Sequence, residues 1–177
     1  MKGNVVSDWW LQTGFVVLSN EYARCNICFL DMTFREITTN GVPGLFDVRT
    51  SVRENTYTRE DLYRDGITEK TVAEMISTTH CGWLCEVNSK IVGFAMANGR
   101  TGEFSVIAVF PEYEMRGIGS KLLLLAEDWL RSIGWEEIWL WTSLDTNLKA
   151  YAFYRNRGWT DAEIRTNQRI MKKRIGK

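Results

Sequence analysis

The chain contains a single histidine, His80, in 177 residues. A Ser-His-Asp or Cys-His mechanism therefore has one imidazole to draw on, and the sequence places it at a helix end. An excess of either charge is also missing. The 22 basic and 22 acidic residues cancel, so no global field favours nucleic acid or a membrane surface as partner. No apolar run approaches the length of a transmembrane span. Lys2 stands near the start, but Gln12, Thr13, Ser19 and Asn20 interrupt any signal-peptide core. The expectation is a soluble, cytoplasmic protein. Internal repeats and low-complexity linkers are absent, and 45% hydrophobic content suffices for one well-cored domain.

Cysteine is present but poorly arranged for a metal. Cys25-x-x-Cys28 and Cys81-x-x-x-Cys85, next to His80, are unequally spaced and far apart in the chain. Cys85 falls inside an expected strand, where it serves as a small apolar residue. No metal is expected, and disulfides are not expected in the cytoplasm.

What the chain does have is concentrated at Ile107-Ala108-Val109-Phe110-Pro111-Glu112-Tyr113-Glu114-Met115-Arg116-Gly117-Ile118-Gly119-Ser120-Lys121. A β-type run empties into a short polar loop, two glycines follow, and an amphipathic helix opens. Gly117 and Gly119 let the backbone turn and let a bulky ligand approach the main chain. The helix N-terminus aims unpaired N–H groups and its positive dipole end into the loop, an arrangement that binds phosphate. Ser120-Lys121 after Gly119 is the wrong order for a P-loop. Leu122 stands at the third glycine position of a dinucleotide fingerprint. A second block, Asn147-Leu148-Lys149-Ala150-Tyr151-Ala152-Phe153-Tyr154-Arg155-Asn156-Arg157-Gly158-Trp159, reads as a helix. Asn147 is its expected N-cap, Ala150, Phe153 and Tyr154 share one side, and Gly158 is its C′ stop.

The first block resembles the acetyl-CoA motif of the GCN5-related N-acetyltransferase (GNAT) superfamily, Gln/Arg-x-x-Gly-x-Gly/Ala, over Glu114 to Gly119. Glu114 departs from it, standing where Gln or Arg is usual, and Arg116 is the expected source of the missing positive charge. The second block resembles the family's Asn-x-x-Ala-x-x-Phe-Tyr-x-x-x-Gly-aromatic motif at every position. The resemblance covers Met32 to the C-terminus as one domain, 32–177. Residues 1–31 form an extension carrying Trp9, Trp10, Phe15, Val16 and Val17. It packs on the domain, forms a partner surface, or reflects a start codon set upstream of Met32.

The pattern predicts strands at Met32–Ile37, Gly82–Val87, Lys90–Ala97, Glu103–Phe110, Glu137–Trp141, Trp159–Ile164 and Arg169–Arg174. It predicts helices at Val42–Arg53, from Thr68 to about Thr79, Gly119–Ile133 and Asn147–Arg157, with Glu54–Asp65 polar and turn-rich. The fold class is α/β (α+β). The resemblance implies the GNAT fold, a mixed, mostly antiparallel sheet flanked by helices and splayed at the fourth and fifth strands.

The resemblance implies acetyl transfer from acetyl-CoA to an amine in a ternary complex, without a metal. It assigns the pantetheine arm and acetyl carbonyl to the backbone of Ile107, Ala108 and Val109, with the Val109 N–H as oxyanion donor. It assigns the pyrophosphate to Glu114, Met115, Arg116, Gly117, Ile118, Gly119 and Ser120, and includes Asn147 in the cofactor site. Tyr154 takes the position that protonates the CoA thiolate. Glu103 is either the base, at a spacing matching the histone-acetyltransferase branch, or a solvated residue of the Thr101-Gly102-Glu103 turn, in which case a water chain serves as the base, as in many family members. The acceptor, a small-molecule amine or a protein lysine or N-terminus, is expected at the 53–61 and 141–145 loops. Trp139 and Trp141 there wall a pocket or belong to the core. A homodimer is compatible with this reading. The rival is a non-catalytic acyl-CoA-binding module acting through residues 1–31.

Overall fold

The computed structural model describes residues 32–54 and 56–176. The readings made of residues 1–31, with Cys25 and Cys28, lie outside the described residues. Among the described residues no helix is long and apolar enough to cross a membrane.

Among the described residues seven strands form one sheet: β1 (Met32–Glu36), β2 (His80–Val87), β3 (Lys90–Asn98), β4 (Glu103–Val109), β5 (Glu137–Thr142), β6 (Thr160–Arg165) and β7 (Gln168–Arg174). Their spatial order is β1-β2-β3-β4-β5-β7-β6. All neighbours are antiparallel except β4 and β5. Asn88 and Ser89 both take positive φ, 50° and 63°, which matches the strand twist of a two-residue hairpin and closes β2 onto β3.

Among the described residues five α-helices flank the sheet: α1 (Val42–Thr50), α2 (Arg59–Arg64), α3 (Glu69–Thr78), α4 (Ile118–Ser132) and α5 (Lys149–Arg155). Helices α1 to α3 bury Leu45, Val48, Leu62 and Val72 against Leu84, Phe94 and Met96. On the opposite face α4 turns Leu122, Leu123, Ala126 and Leu130 inward, joined by Tyr154 and Trp159. The helical repeat of those leucines produces this burial, since residues four apart share a face.

Several boundaries differ from expectation. The stretch 54–65 contains α2, started by a capping box in which the Thr58 side chain accepts from the Asp61 N–H and Asp61 reaches back to the Thr58 N–H. Six residues carry too little periodicity to reveal that helix. Helix α1 stops at Thr50, leaving Val52 and Arg53 outside it. His80 opens β2 directly after Thr79, the cap of α3. Thr68 does cap α3, again through a reciprocal box, with Thr71.

The β4–β5 junction positions the site. Strand β4 pairs with β3 from Gly93↔Val109 to Asn98↔Glu103. With β5 it shares one bridge, Glu103↔Trp139. Beyond that bridge the two strands separate and the sheet opens.

Candidate functional site

A cleft of about 630 Å³ lies at this opening. One wall is the end of β4: Ile107, Ala108 and Val109. The Phe110 N–H donates to the Val92 carbonyl at 2.9 Å. In an antiparallel ladder, polar groups alternate in direction along the strand. Ala108 therefore faces β3, while the N–H groups of Ile107 and Val109 face the gap that β5 leaves open.

The floor is the loop into α4. Met115 and Gly117 both adopt left-handed conformations, φ 59° and 81°, so successive amides turn toward one concavity. Gly117 is the N-cap of α4 and no side chain caps that end. A Cβ at Gly117 would meet nothing within 4 Å. Glycine is thus required by the backbone angle and not by packing. The first N–H groups of α4 remain available to an anion.

The far wall is α5. Lys149, Ala150, Phe153 and Tyr154 face the cleft, with Arg157 just beyond the helix. The helix closes through Gly158, whose N–H bonds to the Arg155 carbonyl at 3.1 Å while the Trp159 N–H bonds to the Tyr154 carbonyl at 3.2 Å. Tyr154 is 7% exposed, packed edge-on against Phe104, Phe153 and Trp159. Burial pushes its phenol above the usual range. Among the described residues its hydroxyl has no hydrogen-bond partner.

A domain of this architecture, with an amide-lined cradle at a split in the sheet, invites comparison with known proteins. The family model described as the Acetyltransferase (GNAT) family matches residues 44–159. The chain belongs to this family. An uncharacterized N-acetyltransferase of Methanocaldococcus jannaschii is 30% identical over 102 residues, covering 52% of this chain and 45% of that relative. The chain thus spans less than half the length of that curated relative. The PaiA N-acetyltransferase of Thermoplasma acidophilum, solved in complex with coenzyme A, superposes with a TM-score of 0.72 at 19% identity, covering 81% of this chain and 98% of that one. The ribosomal-protein-S18-alanine N-acetyltransferase of Escherichia coli superposes with a TM-score of 0.67 at 24% identity, covering 82% and 95%. Both share the GNAT fold with this chain.

The two GNAT sequence blocks converge on this cleft: Glu114, Met115, Gly117, Ile118, Gly119 and Ser120 line it from one side and Tyr154 from the other. Arg116 and Asn147 do not line it. The Arg116 guanidinium donates to the Glu112 carbonyl at 3.0 Å and stacks over Tyr113. Asn147 is not the N-cap of α5; Leu148 is, without a side-chain cap, and the Asn147 amide donates to Asp145 Oδ1 at 2.9 Å.

The positive charge at the cleft comes instead from residues that sequence reasoning missed. Lys149 Nζ lies 3.1 Å from Glu114 Oε2, so the acidic departure from the GNAT motif is neutralised across the mouth. Arg157 bonds to the Ser120 hydroxyl and stacks 3.8 Å over the Phe153 ring. Both cations occupy unspecified positions of the second motif, and only their helical spacing from Phe153 and Tyr154 could have flagged them.

Glu103 lies on the α1–α3 side of the sheet, half-buried in a second cavity with His80 and Ser105. Burial pushes its carboxyl up and pushes the His80 imidazole down. Of the expected acceptor loops, Arg53 and Glu54 reach the cleft. Trp139 and Trp141 line neither cavity; they stack edge-on at 5.7 Å, and the Trp139 indole N–H donates to the Thr101 carbonyl at 2.9 Å. Burial also raises the Cys81 and Cys85 thiols to about 11, so both stay protonated at neutral pH. Among the described residues no cluster of His, Cys, Asp or Glu could hold a metal ion.

Proposed function

We propose that the protein is an acetyl-CoA-dependent N-acetyltransferase that transfers the acetyl group directly to a primary amine. The observation that carries this reading is the cleft at the β4–β5 split, where the α4 N-terminus, Arg53, Lys149, Arg157 and Tyr154 converge. The residues present fit acetyl-CoA. The amides from Glu114 to Ser120 hold the pyrophosphate, assisted by the α4 dipole. Lys149 and Arg157 stand beside that cradle and add charge where Arg116 was expected to. Ile107 and Val109 bond to the pantetheine arm and the acetyl carbonyl through the edge that β5 leaves unpaired. Asn147, held by Asp145, keeps the start of α5 in place at the mouth.

When bound, acetyl-CoA supplies an activated thioester carbonyl. Glu103 takes one proton from the substrate ammonium, leaving a nitrogen lone pair free to attack that carbonyl. Glu103 stands four positions before Ile107 on β4, roughly 13 Å along a strand, so the proton moves through water. The Val109 N–H stabilises the developing oxyanion. As the C–N bond forms and the C–S bond breaks, Tyr154 donates to the departing sulfur. A phenol held above its usual range is a weaker acid than a thiol, so Tyr154 recovers its proton from the nitrogen that has been acylated. The products are an amide, CoA as free thiol, and one proton left on Glu103.

The test is amine-dependent release of CoA thiol by the purified protein. Steady turnover with any amine supports the enzyme. Confirmed acetyl-CoA binding without turnover across small amines, protein lysines and protein N-termini would favour a non-catalytic acyl-CoA-binding module.

A further inference from the structure

The second cavity has about 260 Å³ and lies under α1, α2 and α3. Leu45, Phe46, Leu62, Val72, Phe94 and Met96 form most of its wall. Its polar groups are few: Glu103, His80, Ser105 and Arg49. The strands bring Glu103 and His80 together. His80 pairs with Asn98, and Asn98 pairs with Glu103, so the three form one row across β2, β3 and β4. Directly opposed residues of antiparallel strands point to the same face, and two strand spacings separate the outer pair by roughly 10 Å. Among the described residues no hydrogen bond or ion pair engages the Glu103 side chain. Arg49 is already stacked 4.4 Å over the Tyr57 ring, and its charge repels a second cation from that part of the wall.

The cavity adjoins the cleft along a single strand. Glu103, Ser105 and Val106 line the cavity, and the next three residues, Ile107 to Val109, line the cleft. We propose that this cavity is the acceptor site and that its substrate is a small primary amine carried on an apolar body, with the body held in the cavity and the amine directed along β4, past Ser105, toward Ile107. This inference rests on the acetyl-transfer reading. An apolar void of about 150 Å³ accepts one benzene ring, so this one accepts a ring with a short amine arm. A polyamine or aminoglycoside would bury further ammonium groups against leucine, phenylalanine and valine, which is costly without a partner for each. A peptide lysine would bring main-chain amides to walls that offer them almost nothing.

The full-length protein should be assayed with acetyl-CoA and 2-phenylethylamine, hexylamine, spermidine or a lysine peptide. The two apolar amines should show kcat/KM at least about tenfold above the others. Met75 lines the cavity and is 36% exposed, so Met75→Lys sets a cation at the rim without burying it in the core. That variant should raise KM for 2-phenylethylamine about tenfold and leave acetyl-CoA affinity unchanged, while Met75→Leu retains the parent KM. Preference for spermidine or the peptide, or an unmoved KM in Met75→Lys, overturns the apolar acceptor and leaves acetyl transfer standing. If acetyl-CoA fails to bind the parent protein, the enzyme reading falls first. Direct titration of 2-phenylethylamine then decides the cavity by itself: saturable binding weakened by Met75→Lys supports it, and no binding overturns it.

Discussion

Burial among Phe104, Phe153 and Trp159 keeps Tyr154 protonated through the neutral range. Tyr154→Phe removes the hydroxyl and retains the ring, so kcat should fall by roughly a hundredfold while the Kd for acetyl-CoA stays put. Equal turnover would leave Tyr154 a core residue only. Glu103 yields a prediction in pH. A base works only when deprotonated, and burial raises this carboxyl. Activity should therefore rise with pH through a midpoint above the ordinary glutamate value of about 4.3 and then level off. Glu103→Gln should lower the plateau and remove that acidic limb; an unchanged limb would assign it to another group. Both residues were legible as candidates from motif and spacing. Lys149 and Arg157 were not, because a motif names the positions that recur and leaves silent the neighbours that one chain recruits. Glu114 reads as a defect in the sequence, and only the approach of Lys149 from α5 shows its charge to be balanced.

At the scale of elements, the N-terminus of α4 offers uncapped backbone amides, and the proposed pyrophosphate cradle rests on them alone. Gly117→Glu would place a carboxylate in the open space at the cradle, and the left-handed angle there adds a penalty of about 1–2 kcal/mol. Acetyl-CoA binding should be lost in calorimetric titration while far-UV circular dichroism retains the native spectrum. Retained binding would refute this position of the pyrophosphate. Long periodic elements such as α4 and strongly β-forming runs such as β3 were legible, because repeated apolar positions sum into a clear signal. Helix α2 was not: Thr58 and Asp61 do most of the work of starting it, and its one buried apolar residue is Leu62. Helix α5 starts one residue later than an Asn147 cap would set, since that side chain is taken by Asp145 in the preceding loop.

Over the whole molecule, Glu127 ties three distant segments together. It is 4% exposed, accepts from the Trp159 indole at 3.1 Å, and pairs with Lys173 at 2.6 Å. This joins α4, the turn after α5 and β7 behind the aromatic cluster that holds Tyr154. Glu127→Ala leaves Lys173 half-buried without its partner and Trp159 without its acceptor. It should cost about 3 kcal/mol, lowering Tm by roughly 10 °C. A loss below about 1 kcal/mol in urea denaturation would show the pair to behave as an ordinary surface bridge. No sequence pattern announced this contact, because its members lie 32 and 46 residues apart.

The amino-acid sequence by itself determined the family, the order of nearly all the elements and the glycine turn into α4, because each rests on local spacing: apolar period, glycine at a left-handed angle, a helix start after a strand. Only the tertiary structure decided which face each residue serves. Glu103 and Ile107 share one strand, yet the first looks into the cavity beneath α1 to α3 and the second into the cleft against α5. Side chains alternate across a sheet, and a register shift opposite Met96 and Ala97 alters that alternation midway along β4. Such a shift is set by pairing with a neighbouring strand, which local spacing does not record.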